Sequence, residues 1–587
     1  MKEVLVMLSL IGAIYLCKSS NESAPSDNSL YNPKLCEIFC HGKILHVVQT
    51  SHIFNDDSTF VTMSVKSTVE SIKVDFERMM EISYGSPSKE FVKKFVEKHF
   101  TKATTTYNLR LDDWIEPPEG ANLMEEKIMK DFFLVLHDSW VDCLKMYIDS
   151  NITSRIQFSD VMPEAGGNYM EYHYWDTHWI VLGMLAAGKA SYVKAILSNF
   201  CELIDKYGYV PNGGRIYYVN RTQMPMFARM VYSYVLATND TTFAEDTMHC
   251  LEKEYEFWIR ERTGVVFWKG ELFTVARYGS DKFLKSPRAE SYNHDYNIAE
   301  ALFQRTVAKE NFYQEIRATA ESGWLFSSRW IINETGGNDG SLEHLKTSYI
   351  APVDLNAMIC GNARILYLLY RVMDNVERME YYEDELHSWL YTMKHVFWHK
   401  STGSWFDFDI LNMQRRPFFY LSNLTPLFAQ CYDYKEIDLL INLILVYFYN
   451  MRLTSNRGGV PISYTESGFT WDYPFCWDNY IHMLAMGLVT TNNSIAAHMA
   501  LEIAQNWVKV NLHAYRTKLK FYNTFHAEIP GLPIEAINPG INSKIGALID
   551  LLHVFRNLFA PGDLNSANVT CCSGLLFIFL IMLFRFF

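Results

Sequence analysis

Residues that can hold hydroxyl groups gather in one loop-like segment, residues 212–223. The segment is rich in Gly, Asn, Arg and Tyr and lacks a periodic apolar pattern. Arg221 and Gln223 offer directed N–H donors two residues apart, and Asn212 offers both a donor and an acceptor. Such side chains fix the orientation of a ligand in small-molecule sites. We therefore treat this segment as a candidate binding element.

Three further groups contain aromatic rings, charged side chains or both. They are Trp175 with Asp176, Arg288 with Glu290, and the segment from Trp471 to Trp477. An aromatic face can stack on a sugar ring, and a charged group can hold its hydroxyls. Each group also has a structural interpretation, because Trp-Asp at a helix start can serve capping and packing, and Arg-Glu can be a plain salt bridge. The residues alone leave both interpretations open.

Amphipathic helices must position these loops. Ile495, Met499, Ile503, Trp507 and Val510 recur on one helical face, which predicts a helix over residues 494–512. Similar patterns predict helices over residues 131–149, 174–198, 225–237, 243–260, 312–323, 353–373, 379–397, 437–451, 479–488 and 544–559. Strand-like alternation is scarce. These patterns predict one large, all-α domain with functional residues on loops at one end. The number of helices is compatible with either a helical bundle or a toroid.

Composition narrows the class of partner. The 587 residues are 49% hydrophobic and 20% charged, an ordinary globular balance. A net charge of −13 and the lack of a basic stripe argue against a nucleic-acid partner, which needs a basic surface.

The two ends predict processing and membrane attachment. Lys2 precedes an apolar run at residues 4–15, so residues 1–19 are typical of a secretory signal peptide. Residues 561–587 contain small residues, a spacer and a short apolar tail, which favours a GPI-attachment signal, with a membrane-spanning tail as the alternative. These features predict the extracellular face of the plasma membrane. Eight Asn-X-Ser/Thr sites are candidate glycosylation sites, and Asn220 is expected to stay bare.

Cysteine usage does not indicate a disulfide scaffold. Eleven cysteines are spread thinly along the chain. Cys36 and Cys40 are close enough to pair in an oxidising compartment. The sequence shows no zinc-type Cys or His spacing, and we predict neither a metal nor a cofactor.

Several segments resemble the motifs of one family. Residues 321–330 read Glu-Ser-Gly-Trp-Leu-Phe-Ser-Ser-Arg-Trp, which is similar to the trehalase motif Glu-Ser-Gly-Trp-Asp-Phe-Ser-Ser-Arg-Trp. Residues 165–176, 212–223, 287–292 and 470–477 resemble further trehalase motifs, and the resemblance covers roughly residues 35–555. It implies an (α/α)6 barrel for residues 20–560.

The resemblance also implies a binding site for trehalose or a related α-glucoside. The matching residues are Trp175, Asp176, Asn212, Arg221, Gln223, Arg288, Glu290 and Trp471. Two neighbours depart from the family pattern: Asn168 replaces an Arg, and His173 replaces a Tyr.

Both positions that carry the family's chemistry are substituted. Leu325 replaces the Asp that acts as general acid, and the register set by residues 527–531 places Asn523 where the family has its general base. Inverting glycosidases need an acid near the leaving oxygen and a base that activates water. Leu325 has no transferable proton, and Asn523 can hold a water but cannot take its proton.

Three hypotheses follow. In the first, the chain keeps part of a disaccharide pocket, is deficient in hydrolysis, and binds sugar or pairs with an active relative. In the alternative, it is an active hydrolase with relocated carboxylates, for which Glu528 and Glu535 are candidates and Glu290 a weaker one. The third is a purely structural adhesion role.

Overall fold

The computed structural model describes residues 33–103, 118–140, 143–145, 152–166, 170–534 and 541–558. The predicted signal peptide, the C-terminal tail, Asn168 and Glu535 lie outside these ranges, and the expectations for them stay predictions.

The α-helices, in chain order, are α1 (Pro33–Phe39), α2 (Lys43–Thr50), α3 (Ser58–Val61), α4 (Val69–Ile82), α5 (Lys89–His99), α6 (Glu119–Asn122), α7 (Lys127–Asp138), α8 (Tyr174–Ala186), α9 (Ala190–Tyr207), α10 (Phe227–Thr238), α11 (Thr241–Arg262), α12 (Tyr292–Leu302), α13 (Thr306–Ser322), α14 (Val353–Val372), α15 (Val376–Thr392), α16 (Thr425–Ala429), α17 (Ile437–Asn450), α18 (Asp478–Val489), α19 (Ser494–Lys518) and α20 (Ile541–Val554). Short 3-10 helices cover Ile216–Tyr218, Ala289–Ser291, Ser328–Trp330, Leu342–His344, Thr347–Tyr349, Leu421–Leu424, Tyr434–Glu436 and Leu453–Ser455.

The strands are short and lie in loops. They are β1 (Ser64–Val65), β2 (Phe100–Thr101), β3 (Leu144–Lys145), β4 (Ile152–Thr153), β5 (Met162–Pro163), β6 (Thr263–Trp268), β7 (Glu271–Ala276), β8 (Ile350–Ala351), β9 (Trp398–His399), β10 (Ser404–Trp405), β11 (Phe408–Asp409), β12 (Gln414–Arg415), β13 (Phe475–Trp477) and β14 (Thr524–His526). They form small sheets in the orders β2-β1-β4, β3-β5, β6-β7, β10-β9, β12-β11-β8 and β13-β14. Every pairing is antiparallel.

Six helices close into an inner ring. Each of α8, α10, α14, α16, α18 and α20 contacts the next, and α20 returns to α8. Four of the inner helices, α8, α14, α18 and α20, are buried over most of their lengths, whereas α9 and α11, which pack outside the ring, are half-polar. The predicted all-α (α/α)6 barrel is therefore confirmed.

The ring closes through a contact that only glycine permits. A Cβ on Gly183 of α8 would lie 2.7 Å from the Cα of Gly546 on α20, and a Cβ on Gly546 would lie 2.1 Å from the carbonyl oxygen of Trp179. Any larger residue would push the two helices apart.

Some predicted elements were wrong in their bounds. The helix predicted over residues 174–198 is two helices, because Gly188 has a φ of 79° and turns the chain between α8 and α9. The helix predicted over 131–149 ends at Asp138. The β6–β7 hairpin was not predicted; its turn residues Lys269 and Gly270 have φ values of 51° and 91°.

The disulfide predicted between Cys36 and Cys40 is confirmed. Two further disulfides, Cys201–Cys250 and Cys360–Cys431, join residues that are far apart in sequence. Asn423 is buried, so the folded chain offers no room for a glycan there. Among the described helices, none has the length and apolar character that crossing a bilayer requires.

Candidate active site

Arg221 organises one side of the candidate site. Its Nε donates to Asn212 Oδ1 at 2.8 Å, and its Nη2 donates to Glu290 Oε1 at 2.5 Å. Arg221 Nη1 and Glu290 Oε2 are buried and bind no other atom of the described chain. The pair therefore keeps one donor and one acceptor for a ligand.

The charge of Glu290 is maintained despite its burial. Only 12% of the Glu290 side chain is exposed, and burial by itself would raise its pKa. The positive charges of Arg221 and Arg288 outweigh that effect and lower the pKa of Glu290. Glu290 is thus a hydrogen-bond acceptor at neutral pH and has no proton to donate.

Hydrogen bonds from backbone N–H groups connect the segment 212–223 to the start of α8. The N–H of Trp175 donates to Gln223 Oε1 at 2.8 Å, and the N–H of Tyr174 donates to the carbonyl oxygen of Asn212 at 3.1 Å. The first N–H groups of a helix have no partner within the helix, so the loop supplies those partners. Trp175, Asn212, Arg221, Gln223 and Glu290 are consequently brought into one hydrogen-bonded unit.

Asp176 lies in the first turn of α8, where the helix meets α20. Its Oδ1 accepts from Ser543 Oγ at 2.7 Å. Burial raises the pKa of Asp176 to about 6, although the hydrogen bond from Ser543 opposes that rise. Asp176 therefore titrates close to neutral pH.

A continuous aromatic wall connects α8 to the segment of Trp471. Trp175 contacts Tyr480 at a centroid distance of 5.7 Å, and Tyr480 meets Trp324 edge-on at 4.9 Å. Trp324 stacks near Trp471 at 5.1 Å, and Trp471 lies parallel to Trp477 at 3.9 Å. Stacked rings of this kind form a rigid surface.

Trp324 and Tyr480 were missed in the sequence analysis as site residues. Trp324 immediately precedes Leu325, and Tyr480 follows Trp477 by three residues at the start of α18. The Trp324 Nε1–H donates to the Tyr480 hydroxyl, which donates in turn to Asp354 Oδ2 at 2.7 Å. Both residues adjoin predicted motif residues in the sequence, and this adjacency could have identified them as site residues.

Buried ion pairs hold the segment that contains Leu325. Arg329 donates to both Asp354 and Asp407 through four hydrogen bonds of 2.7–2.9 Å. Asp472 accepts from the backbone N–H of Ser328 at 2.6 Å and from the Ser327 hydroxyl at 3.1 Å. These contacts give residues 324–330 a defined path beside the aromatic wall.

The two substituted positions flank the Trp471–Trp477 pair. Leu325 is half-buried, and the N–H of Trp471 donates to the carbonyl oxygen of the next residue, Phe326. Asn523 is also half-buried and immediately precedes β14, whose first residue, Thr524, pairs with Trp477. Neither position carries a carboxyl group.

A buried pair lies beside β14, the strand that follows Asn523. Lys544 Nζ is 3.2 Å from Asp478 Oδ2, and the Trp507 Nε1–H donates to Asp478 Oδ1 at 2.7 Å. Lys544 also lies over the ring of Phe525, 4.5 Å from its centroid. Burial lowers the pKa of Lys544 and raises that of Asp478. Sequence spacing gave no signal for this pair, because its members lie on different helices.

Arg288 is held by a partner that the sequence analysis did not identify. Its Nε and Nη2 donate to Asp295 at 2.8 and 2.7 Å, and both side chains are almost fully buried. Burial would raise the pKa of Asp295, but the charge of Arg288 and its hydrogen bonds lower it to about 2. The charge of Arg288 also contributes to the lowered pKa of Glu290.

His173 and Glu528, which the sequence analysis also discussed, lie in contrasting surroundings. Burial lowers the pKa of His173 to about 4, so this ring is neutral at physiological pH. Glu528 is exposed on the turn between β14 and residue 533, where its N–H donates to His526 Nδ1.

Known proteins resemble this chain in both sequence and fold. The family model described as Trehalase matches residues 52–536. The chain is 34% identical to a trehalase of Apis mellifera over 542 residues, which cover 91% of this chain and 86% of that protein. It is 32% identical to a trehalase of Homo sapiens over 514 residues, covering 86% and 87% of the two chains. The solved neutral trehalase of Saccharomyces cerevisiae has the same fold, with a TM-score of 0.53 at 16% identity over 66% of this chain and 72% of that one.

Proposed function

The chain belongs to the trehalase family, and from that premise we propose that it binds trehalose or a related α-glucoside but is deficient in hydrolysing it. One observation carries this proposal: Leu325 and Asn523 leave both the general-acid position and the general-base position without a carboxyl group. Its partners in the cell would be the sugar itself or an active relative.

The retained side chains support sugar binding. Arg221 Nη1 and Glu290 Oε2 offer a donor and an acceptor that no side chain of the described chain occupies. The Trp471–Trp477 stack contributes aromatic surface. A sugar needs both, since its hydroxyls require directed hydrogen bonds and its C–H faces pack on rings.

The absence of an acidic side chain at positions 325 and 523 is expected to slow hydrolysis. Protonation of the leaving oxygen and activation of water are each worth roughly 10²–10⁴-fold in rate. Losing both removes a factor on the order of 10⁴ or more. The protein would still bind and orient the sugar.

Three buried carboxyl groups of the candidate site are paired with cations. Glu290 is paired with Arg221, Asp478 with Lys544, and Asp354 with Arg329. A carboxylate that neutralises a buried cation is a poor general base, because taking a proton would break the pair.

Asp176 supports the alternative of an active hydrolase with relocated carboxylates. Its pKa of about 6 suits a group that exchanges a proton near neutral pH. A second group is still required, and exposed Glu528 would have to move to supply it. Residual hydrolysis that depends on Asp176 would favour this alternative.

Glucose release from trehalose by the purified protein tests the proposal. We expect release at least 10⁴-fold below that of an active trehalase, together with heat of trehalose binding in calorimetry. Arg221→Ala should abolish that heat. Glucose release within tenfold of the active enzyme, lost in Asp176→Asn, would overturn the proposal and support the alternative.

Restoring both carboxyl groups provides a sharper experiment. Leu325→Asp with Asn523→Glu should raise glucose release by at least 10²-fold if the pocket is intact. Leu325→Asn with Asn523→Gln is the matched control, because it has nearly the same shapes without the carboxyl groups. An equal gain in both double variants would show that polarity or packing, and not proton transfer, limits turnover.

Attachment to the cell surface is a separate proposal that rests on the apolar runs at residues 4–15 and 574–587. Expression in animal cells followed by phosphatidylinositol-specific phospholipase C tests it. Release of the protein into the medium would support a lipid anchor, and retention in the membrane would contradict it.

A further inference from the structure

A cluster of possible metal ligands lies on the outer helices, away from the candidate active site. Cys201 and Asp205 lie one turn apart on α9, and His249 and Cys250 are adjacent on α11. One donor atom from each residue can be chosen so that all four lie within 4.8 Å of one another. It is the only such group in the part of the chain that the structure describes.

His249 is at the centre of the group. Its Nε2 lies 3.2 Å from Cys250 Sγ, 3.8 Å from Cys201 Sγ and 3.2 Å from Asp205 Oδ2. In a tetrahedral zinc site with ordinary bond lengths, nitrogen and sulfur ligands are about 3.5 Å apart and nitrogen and oxygen about 3.3 Å apart. Three of the ligand separations therefore already match such a site.

The two sulfurs are the exception, because Cys201 and Cys250 form a disulfide in this structure. Two thiolates on one zinc ion are about 3.8 Å apart. Reduction of the disulfide would let the sulfurs separate by rotation of the two side chains. The disulfide and the metal site thus exclude each other at the same four residues.

We propose that Cys201, Asp205, His249 and Cys250 form a redox-controlled site for a thiolate-preferring divalent cation such as zinc. In the oxidised protein, the two cysteines form the disulfide that joins α9 to α11. In the reduced protein, the cation joins the same two helices.

The conversion is chemically balanced. A dithiol reductant gives two electrons and two protons to the Cys201–Cys250 disulfide, whose S–S bond breaks to form two thiols. The reductant becomes a disulfide. The cation then binds both sulfurs as thiolates, and two protons pass to the solvent.

The surroundings suit this exchange. The side chains of His249 and Asp205 are 58% and 52% exposed, so a metal ion can reach these two ligands from solvent. Lys253 Nζ lies 2.7 Å from the Asp205 carbonyl oxygen and 3.3 Å from Asp205 Oδ1, which leaves Oδ2 directed to the site. Lys253 would hold the Asp205 carboxylate in place, as outer partners of metal ligands commonly do.

Cobalt titration of the full chain tests the proposal. In protein treated with a phosphine reductant and freed of metal, one equivalent of Co²⁺ should produce thiolate-to-cobalt charge-transfer bands and tetrahedral d–d bands. The oxidised protein should show neither, and zinc should displace the cobalt. Circular dichroism before and after reduction verifies that the fold is retained.

Variants distinguish this site from other thiols. His249→Ala and Asp205→Asn are exposed changes, and each should weaken cobalt binding at least tenfold. Cys36→Ser with Cys40→Ser removes a different disulfide and should leave the titration unchanged. Cys201→Ser provides the test without reductant, because Cys250 stays a thiol beside His249 and should give a charge-transfer band. The proposal is overturned if these bands are absent from both the reduced protein and Cys201→Ser, or if they persist unweakened in His249→Ala.

Discussion

The ion pair between Arg288 and Asp295 allows a quantitative prediction. Asp295→Asn keeps the shape of the side chain but removes the charge that neutralises buried Arg288. An aspartate in an unfolded chain has a pKa of about 3.9, whereas Asp295 has a pKa of about 2. The difference corresponds to roughly 2–3 kcal/mol of stability at neutral pH, and the variant should lose about that much.

The pH dependence of this loss has a definite sign. Because folding lowers the pKa of Asp295, its contribution is fully present well above pH 4 and is lost as the pH falls towards 2. The difference between the parent protein and Asp295→Asn should therefore be largest near pH 7 and shrink at pH 3.

Urea unfolding followed by tryptophan fluorescence measures the effect. For a chain of this length, about 2–3 kcal/mol shifts the thermal midpoint by only a few degrees, so the urea midpoint at fixed temperature is the better observable. Asp138→Asn is the matched control, because 79% of the Asp138 side chain is exposed. A change below about 0.5 kcal/mol in Asp295→Asn at pH 7, equal to that in the control, would refute the reasoning.

Three further predictions concern individual carboxyl groups. Asp176 has a pKa of about 6, so trehalose affinity should fall as the pH drops below 6 if the carboxylate binds a hydroxyl; calorimetry at pH 5 and pH 7.5 should show this fall in the parent and no fall in Asp176→Asn. Glu290→Gln should weaken trehalose binding about 10–100-fold, since a hydrogen bond to a charged group is worth about 1.5–3 kcal/mol; unchanged affinity would exclude Glu290 from the site. Burial raises the pKa of Glu254 to about 7, so this group costs stability as the pH rises from about 4.5 through 7. Glu254→Gln should remove that loss, and a parent protein as stable at pH 8 as at pH 5 would contradict this account.

The sequence predicted what local patterns encode. The 3.6-residue apolar period identified most of the barrel helices, and the motif around Trp471 and Leu325 led to a segment that the structure places beside Trp324 and Tyr480. Helix ends were predicted less well, since apolar periodicity continues through the turn at Gly188.

Partners that no periodicity or motif links could not be predicted. Asp295 lies seven residues after Arg288 and outside the motif that contains it, and Lys544 reaches Asp478 from another helix. Periodicity and motif spacing contain no information on such pairs, because the fold alone brings them together. The same reason explains why the Cys201–Cys250 disulfide was missed while Cys36–Cys40, four residues apart, was predicted.

The closure of the ring has a consequence for biosynthesis. The contact between Asp176 and Ser543 spans 367 residues, and the Gly183–Gly546 approach lies beside it. At a synthesis rate of roughly 5–20 residues per second, α8 emerges from the ribosome roughly 20–70 seconds before the helix that completes its surroundings. During that interval the apolar face of α8 lacks its packing partner α20. Chaperones or helices synthesised earlier must shield this face from water. A nonsense mutation upstream of α20 should therefore yield an open ring that quality control degrades.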